Sequence, residues 1–279
     1  MTPASFEALA AIIRARSGGV LTPDQGYMLE TRLGTLLKRE GLRDLDALAA
    51  RLRQPRSEAL AQDMTELLTT NESSFFRDGR PFEHLRGVLQ ALHAARPPGQ
   101  PLRIWSAACS TGQEAYSVSI LASELAERDP DFAARRIEIL GTDLSSAVLE
   151  RARAGVFTQF EVQRGLPIRT LTQRFTQDGT RWRIKPEVAA RCRFEKLNLL
   201  DDLRAFGRFD VVFCRNVLIY FDVPTKARVL ANLAGQMLPD GLLYLGSAET
   251  ALGVTTHLVP LAGERGVYGL KAAEARLQA

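Results

Sequence analysis

Over the first seventy residues, apolar positions recur at helical spacing. Phe6, Leu9, Ile12 and Ile13 share one face, and Gly18-Gly19 closes that segment. A second amphipathic run extends from Pro23 toward Gly41, with Leu29, Leu33, Leu36 and Leu37 inward. Asp44 is placed to cap a third helix, and Ser57 a fourth that reaches Leu68. Short helices of this kind bury little surface alone, so they are predicted to pack on one another. A longer helical pattern, Pro81 to Ala95, runs into Arg96-Pro97-Pro98-Gly99, the clearest linker signal in the chain.

After Gly99 the pattern changes. Strands are predicted at Leu102–Trp105, Ile137–Leu140, Arg193–Leu197, Phe209–Cys214, Leu242–Leu245 and Val267–Leu270. Helices at Gln113–Glu127, Ser145–Ala154 and Pro224–Met237 alternate with them. That alternation predicts an α/β fold with a mainly parallel sheet covered on both faces. The interval from Thr158 to Arg191 breaks the rhythm. Asp178-Gly179 between alternating runs predicts an antiparallel β hairpin with Phe175 opposite Trp182. One hairpin face would carry Phe175, Trp182 and Ile184, the other Arg174, Arg181, Arg183 and Lys185. The expected organisation is a small all-helical N-terminal domain over 1–72 and a linker helix over 73–98. An α/β domain over 99–279 follows, with the insert at about 158–191.

Composition narrows the function. The chain has 279 residues, 46% of them apolar, which is ordinary for a domain with a proper core. No apolar run is long enough to span a bilayer, and Met1-Thr2-Pro3-Ala4-Ser5 lacks the features of a signal peptide, so the expected compartment is the cytoplasm. Cys109, Cys192 and Cys214 have neither disulfide parity nor metal spacing and read as reduced. His84, His93 and His257 have no ligand partners at zinc spacing, so no metal is expected, nor chemistry that needs an imidazole base. A net charge of +4 suits an acidic partner, protein or nucleic acid, without choosing between them.

Three places carry candidate chemistry. The turn Ser106-Ala107-Ala108-Cys109-Ser110-Thr111-Gly112-Gln113-Glu114 has small residues that let a ligand approach the backbone, and a helix start follows. Taken alone the signal is weak, with a single glycine and no G-x-G-x-x-G pattern, and it reads more readily as a plain strand-to-helix turn. Gly141-Thr142-Asp143 puts a carboxylate at a strand end, where it suits ribose hydroxyls or a helix cap. The block Phe209–Phe221 leads a buried strand straight into Arg215-Asn216, which core packing does not explain.

Those blocks, with Leu68-Thr69-Thr70-Asn71-Glu72-Ser73-Ser74-Phe75-Phe76-Arg77 and Cys214-Arg215-Asn216-Val217-Leu218-Ile219-Tyr220-Phe221, resemble the chemotaxis receptor methyltransferases, the CheR family, over nearly the whole chain. The resemblance implies a class I methyltransferase, Rossmann-like domain with S-adenosyl-L-methionine as donor, S-adenosyl-L-homocysteine as product and no metal. It implies methyl transfer to glutamate side chains on the cytoplasmic methylation helices of chemotaxis receptors, by a monomer. Carried over singly, Asn71, Ser73, Arg77, Glu114, Asp143, Asn198, Leu199, Arg215 and Asn216 match donor-binding positions. Arg77 would pair with the donor's carboxylate. Arg77 and Tyr220 would orient the reactants rather than act as acid and base, since a glutamate of pKa about 4.3 is already ionised. Ser73 stands where threonine is common, and Gln113 and Ala115 where Glu and Pro are. The short Asp178-Gly179 turn implies weak or absent tethering to a receptor's C-terminal pentapeptide. Arg32, Lys38, Arg39, Arg51, Arg53 and Arg56 would form either a solvated face or a surface for acidic receptor helices. Another class I O-methyltransferase and a non-catalytic cofactor-binding docking domain are the alternatives. Asn216-Val217-Leu218-Ile219 lacks the Pro-Pro-aromatic block of amine-methylating nucleic-acid enzymes, so no nucleic-acid partner is expected.

Overall fold

The N-terminal amphipathic runs fold as helices in a computed structural model that describes residues 1–271. Helix α1 (Pro3–Ser17) starts under Thr2, whose hydroxyl accepts the Ser5 N–H at 3.3 Å. Pro23–Gln25 form a separate 3-10 turn, and α2 (Gly26–Arg39) starts only after it. There the Thr22 N–H donates to the Gln25 side chain at 3.0 Å. Asp44 caps α3 (Leu45–Leu52) by accepting the Ala47 N–H at 2.8 Å. Ser57 precedes α4 (Glu58–Leu68) but does not cap it; its hydroxyl donates to the Leu52 carbonyl at 2.9 Å and ties the α3–α4 turn.

Leu9, Leu29, Leu33, Leu48 and Met64 are fully buried where these helices meet. Together with Tyr220–Lys226, residues Met1–Thr70 make one compact unit. Of the six cations that the sequence pattern singled out, Arg32 and Arg39 reach partners on α4 or its end. Arg32 donates to the Leu68 and Thr69 carbonyls at 3.1 and 3.2 Å, closing the end of α4, and Arg39 binds Glu40 and Asp63. Lys38, Arg51, Arg53 and Arg56 are exposed, so the basic face is narrower than the sequence pattern suggests.

The second unit comprises Asn71–Ile219 and the described residues from Ala227 on. Its first helix, α5 (Arg80–Ala95), buries Phe82, Leu85, Leu89 and Leu92 in the main core. The Arg96–Gly99 stretch is tied down. Arg96 grips Asp240 at 2.7 Å and the buried Asp210 at 2.8 Å, while Arg135 donates to the carbonyls of His93, Arg96, Pro97 and Gln100.

The chain then runs through β1 (Leu102–Ala107), α6 (Gln113–Ala126), α7 (Pro130–Ala133), β2 (Ile137–Asp143) and α8 (Ser146–Ala154). The insert follows as β3 (Val156–Thr158), α9 (Gln159–Gln163), α10 (Ile168–Arg174), β4 (Phe175–Asp178), β5 (Arg181–Ile184) and α11 (Pro186–Ala189). The remaining elements are β6 (Cys192–Lys196), β7 (Phe209–Cys214), α12 (Val223–Gly235), β8 (Met237–Leu245), β9 (Leu258–Pro260) and β10 (Val267–Leu270). The main sheet has the order β6-β2-β1-β7-β8-β10-β9. Its first five strands are parallel, β10 runs antiparallel to β8, and β9, antiparallel to β10, runs with the first five, as expected for a class I methyltransferase sheet. Every residue of β7 is buried, because helices cover both faces. The strand order reverses between β1 and β7, so their carboxyl ends form the switch point where open α/β sheets bind ligands.

The insert departs from the sequence expectation in two ways. It has three strands in the order β3-β5-β4, and Phe175 lies opposite Ile184 while Trp182 lies opposite Gln177. Gly179, at φ 59°, takes the first central position of the turn, so the loop is Gly179-Thr180, one residue later than expected, and each cross-strand partner shifts by two residues, which keeps Phe175, Trp182 and Ile184 on one face. Arg174 is buried and pairs with Glu127 at 2.7 Å, which removes it from the predicted cationic face. Arg183 meets Asp178 at 3.4 Å, and Arg181 is exposed. No helix of the described residues is long and apolar enough to cross a membrane.

Candidate functional site

The carboxyl ends of β6, β2, β1 and β7 lie side by side, with Lys196 opposite Asp143, Thr142 opposite Ala107, and Ala107 opposite Cys214. This register brings together residues far apart in sequence. After β1 the chain enters an uncommon turn in which Ala108, Ser110 and Gly112 have φ of 57°, 52° and 91°. Left-handed alanine and serine are costly, about 1–3 kcal/mol each, and persist where their surroundings over-determine them.

Asp143 is one of those surroundings. Its Oδ2 accepts the Ser110 N–H at 2.9 Å and its Oδ1 the Ser145 N–H at 3.0 Å. Ser145, not Asp143, occupies the cap position of α8, so the carboxylate links two loops rather than ending a helix. The Ser110 hydroxyl in turn donates to the Asn71 carbonyl at 2.8 Å, joining the β1 turn to the segment that holds Asn71, Ser73 and Arg77. The buried thiol of Cys109 is pushed well above its ordinary pKa, first by desolvation and then by the charge of Asp143.

Arg215 organises the other half. Its side chain is 2% exposed, and it meets Glu114 at 3.1 Å and Asp78 at 2.6 Å. It also donates to the Arg77 carbonyl at 3.0 Å. Glu114, at the start of α6, accepts the Ser106 hydroxyl at 2.7 Å through its other oxygen. A buried cation with two carboxylates and a carbonyl is a well-compensated group, and it fixes where the Arg77 backbone runs. The Arg77 side chain donates to the Glu72 carbonyl at 3.1 Å.

Asn216 follows at φ 60°, and its buried Oδ1 has no hydrogen-bond partner among the described residues. An orphaned buried acceptor at a sheet's carboxyl end invites a ligand donor. The Asn198 side chain accepts the Leu200 N–H at 3.1 Å, and Leu199 is buried beside it, just past β6. Ser73 is half-buried in the 71–77 segment. Tyr220 belongs to the first unit, where it is 39% exposed and its carbonyl accepts the Val20 N–H at 2.9 Å.

One residue that the sequence pattern did not single out is Glu249. It is 8% exposed and accepts four backbone N–H groups: Asn216 at 2.8 Å, Gly246 at 2.7 Å, Val217 at 2.8 Å and Ile219 at 3.3 Å. It holds the loop after β7 against the end of β8. The only sequence hint was an acid in Gly246-Ser247-Ala248-Glu249 directly after a strand, with no helix there to cap.

Comparison with known proteins identifies the family. Residues 4–69 match the family model described as the all-alpha domain of CheR methyltransferase, and residues 71–267 match its SAM-binding domain. Chemotaxis protein methyltransferase 1 of Pseudomonas aeruginosa is 38% identical over 256 residues, covering 91% of this chain and 93% of that protein. Chemotaxis protein methyltransferase Cher2 of Pseudomonas putida is 36% identical over 254 residues, covering 90% and 92%. In Vibrio parahaemolyticus a chemotaxis protein methyltransferase is 34% identical, covering 90% of each chain. On matches of this length, around a strand-end site of this construction, the chain belongs to the CheR family of S-adenosylmethionine-dependent chemotaxis methyltransferases.

Proposed function

We propose that this chain methylates glutamate side-chain carboxylates of chemotaxis receptors, with S-adenosyl-L-methionine as donor. The observation that carries the reading is the array at the strand ends, where Asp143, Arg215 and Asn216 are held in place by buried networks. These residues fit the donor. Asn216 Oδ1 is a buried acceptor suited to an amine. Asp143 suits ribose hydroxyls, with Asn71, Ser73, Glu114, Asn198 and Leu199 completing the cradle. Arg77 suits the donor's carboxylate. When bound, the donor would supply a methyl group on a sulfonium, whose carbon a carboxylate oxygen attacks as the C–S bond breaks, giving a methyl ester and a neutral thioether.

The protein needs no general base for this, because the acceptor glutamate is ionised near neutral pH. Two of the histidines are already occupied, His84 against the Tyr244 hydroxyl at 2.7 Å and His93 accepting from Arg135 at 3.0 Å. The chain's task is alignment, which supplies about 7–11 kcal/mol of a barrier when two reactants are well held. We assign that role to Arg77 and Tyr220. Removing a negative charge from a receptor poised between two states then biases its output.

The test is incubation with methyl-labelled S-adenosylmethionine and receptor-bearing membranes. Label that mild base releases from receptor protein is the expected result. Label that survives base, or that enters nucleic acid or a small molecule, overturns the reading.

A further inference from the structure

The segment Asn71–Arg77 supplies three of the proposed donor contacts, and the turn that completes it is strained. Phe76, Asp78 and Gly79 have φ of 46°, 67° and 61°. Two of these are not glycine, so the turn around Arg77 holds only where its neighbours leave it no alternative. One side of that support is the parallel domain: the Phe76 N–H donates to the Ser117 hydroxyl at 2.9 Å, and Asp78 pairs with Arg215 at 2.6 Å.

The other side is the antiparallel insert. Phe75 is fully buried, edge-on to Phe157 of β3 at 5.0 Å and to Phe175 of β4 at 5.5 Å. Arg164 reaches Glu72 at 2.8 Å. The backbone of Gly165 lies so close that a Cβ there would fall 1.8 Å from the Phe75 carbonyl oxygen, and its φ is +98°. Backbone against backbone leaves no flexible side chain to yield. None of the proposed donor contacts lies on the insert, so its grip on Phe75 reaches the donor through this segment.

We propose that the insert is the seat of the donor-binding segment, with Gly165, Phe157 and Phe175 as positioning residues that set donor affinity through Asn71, Ser73 and Arg77. This rests on the donor-site reading above. If the insert served only as a covering layer, mutating it would lower thermal stability and leave the affinity of the folded protein unchanged.

The experiment is calorimetric titration of the full chain with S-adenosylhomocysteine, alongside steady-state methylation and melting curves. In Gly165→Ala the dissociation constant should rise about tenfold, within the usual range for coupled sites. The KM for donor should follow, and because Arg77 also aligns the reactants, any loss of kcat should accompany the weakened binding rather than replace it. Phe175→Leu keeps an apolar side chain and removes one ring contact, and should give a smaller rise in the same direction. If Gly165→Ala does not fold, Phe175→Leu decides alone. Wild-type donor affinity in a folded insert variant overturns the proposal, as does a kcat loss with unchanged donor affinity. Arg77→Ala run in parallel separates the two readings. Weakened binding there with intact binding in the insert variants sinks only the insert's role, whereas intact binding in Arg77→Ala overturns the assignment of Arg77 to the donor.

Discussion

Glu249→Gln is the sharpest perturbation of the site that leaves its shape alone. Each carboxylate oxygen accepts two backbone N–H groups, Oε2 from Asn216 and Gly246, and Oε1 from Val217 and Ile219. A glutamine presents one oxygen and one NH2, so two N–H groups must face a donor. Hydrogen bonds to an ionised group contribute about 1.5–3 kcal/mol each. The Ile219 bond is long at 3.3 Å, so losing that side of the cluster should cost about 2–4 kcal/mol. The loss is local to the loop after β7, where Asn216 already sits at φ 60°. Amide hydrogen exchange followed by mass spectrometry should therefore show lost protection at residues 216–219, with the strands little changed. Donor affinity should fall with it, since the Asn216 acceptor is no longer held in place. Unchanged protection and unchanged affinity in the mutant would refute the assignment of Glu249 as the organiser of this loop.

Four further outcomes are expected. Asp143→Ala should weaken S-adenosylhomocysteine binding by about 1.5–3 kcal/mol, tenfold or more, in a folded protein, as measured by calorimetry. Tyr220→Phe should lower kcat and kcat/KM together while leaving donor affinity intact, and wild-type turnover would return that ring to a packing role. The Asp240 carboxyl is held below its ordinary value of 3.8, chiefly by its hydrogen bond to Arg96, so its contribution to stability is fully present above that pH and is lost as pH falls further. Because Asp240 is 56% exposed, Asp240→Asn should cost no more than about 1 kcal/mol at pH 7, and urea midpoints of mutant and wild type should converge on acidification below the usual carboxylate range. Burial raises the Cys109 and Cys214 thiols well above their ordinary range, so iodoacetamide at pH 8 should leave both unlabelled in the native protein; rapid labelling of Cys109 would mean that the β1 turn opens.

The elements themselves were legible because their signals are local. The amphipathic spacing of Leu29, Leu33 and Leu36, the Asp44 cap and the apolar run Phe209–Cys214 each depend on neighbours within a turn or a strand, and each appears where the pattern puts it. The Asn71–Arg77 and Cys214–Phe221 blocks were legible for another reason: they resemble a family. What the sequence could not supply was any pairing decided at a distance. The two-residue shift of the insert's pairing followed from which turn position Gly179 occupies, and the third strand β3 from a segment that lacks a strand's length. Ser57 looked like a cap until the Leu52 carbonyl came within reach of its hydroxyl. Arg32, Arg39 and Arg174 read as surface cations, yet each found a partner within its own unit.

The same division runs through the site. Residue types and strand-end positions marked Asp143, Arg215 and Asn216 in advance, since polar groups directly after buried strands have few structural reasons to be there. That Asp143 would hold the Ser110 turn, that Arg215 would bridge Glu114 and Asp78, and that Glu249 would gather four N–H groups are facts of the folded chain. Glu249 lies 33 residues from Asn216, and only the parallel pairing of β7 with β8 brings their strand ends together. Sequence fixes which groups a chain can offer along a helix face or a strand end, because those periods are built into the backbone. Which of them meet is decided by the sheet order, and that is settled only when the whole core closes.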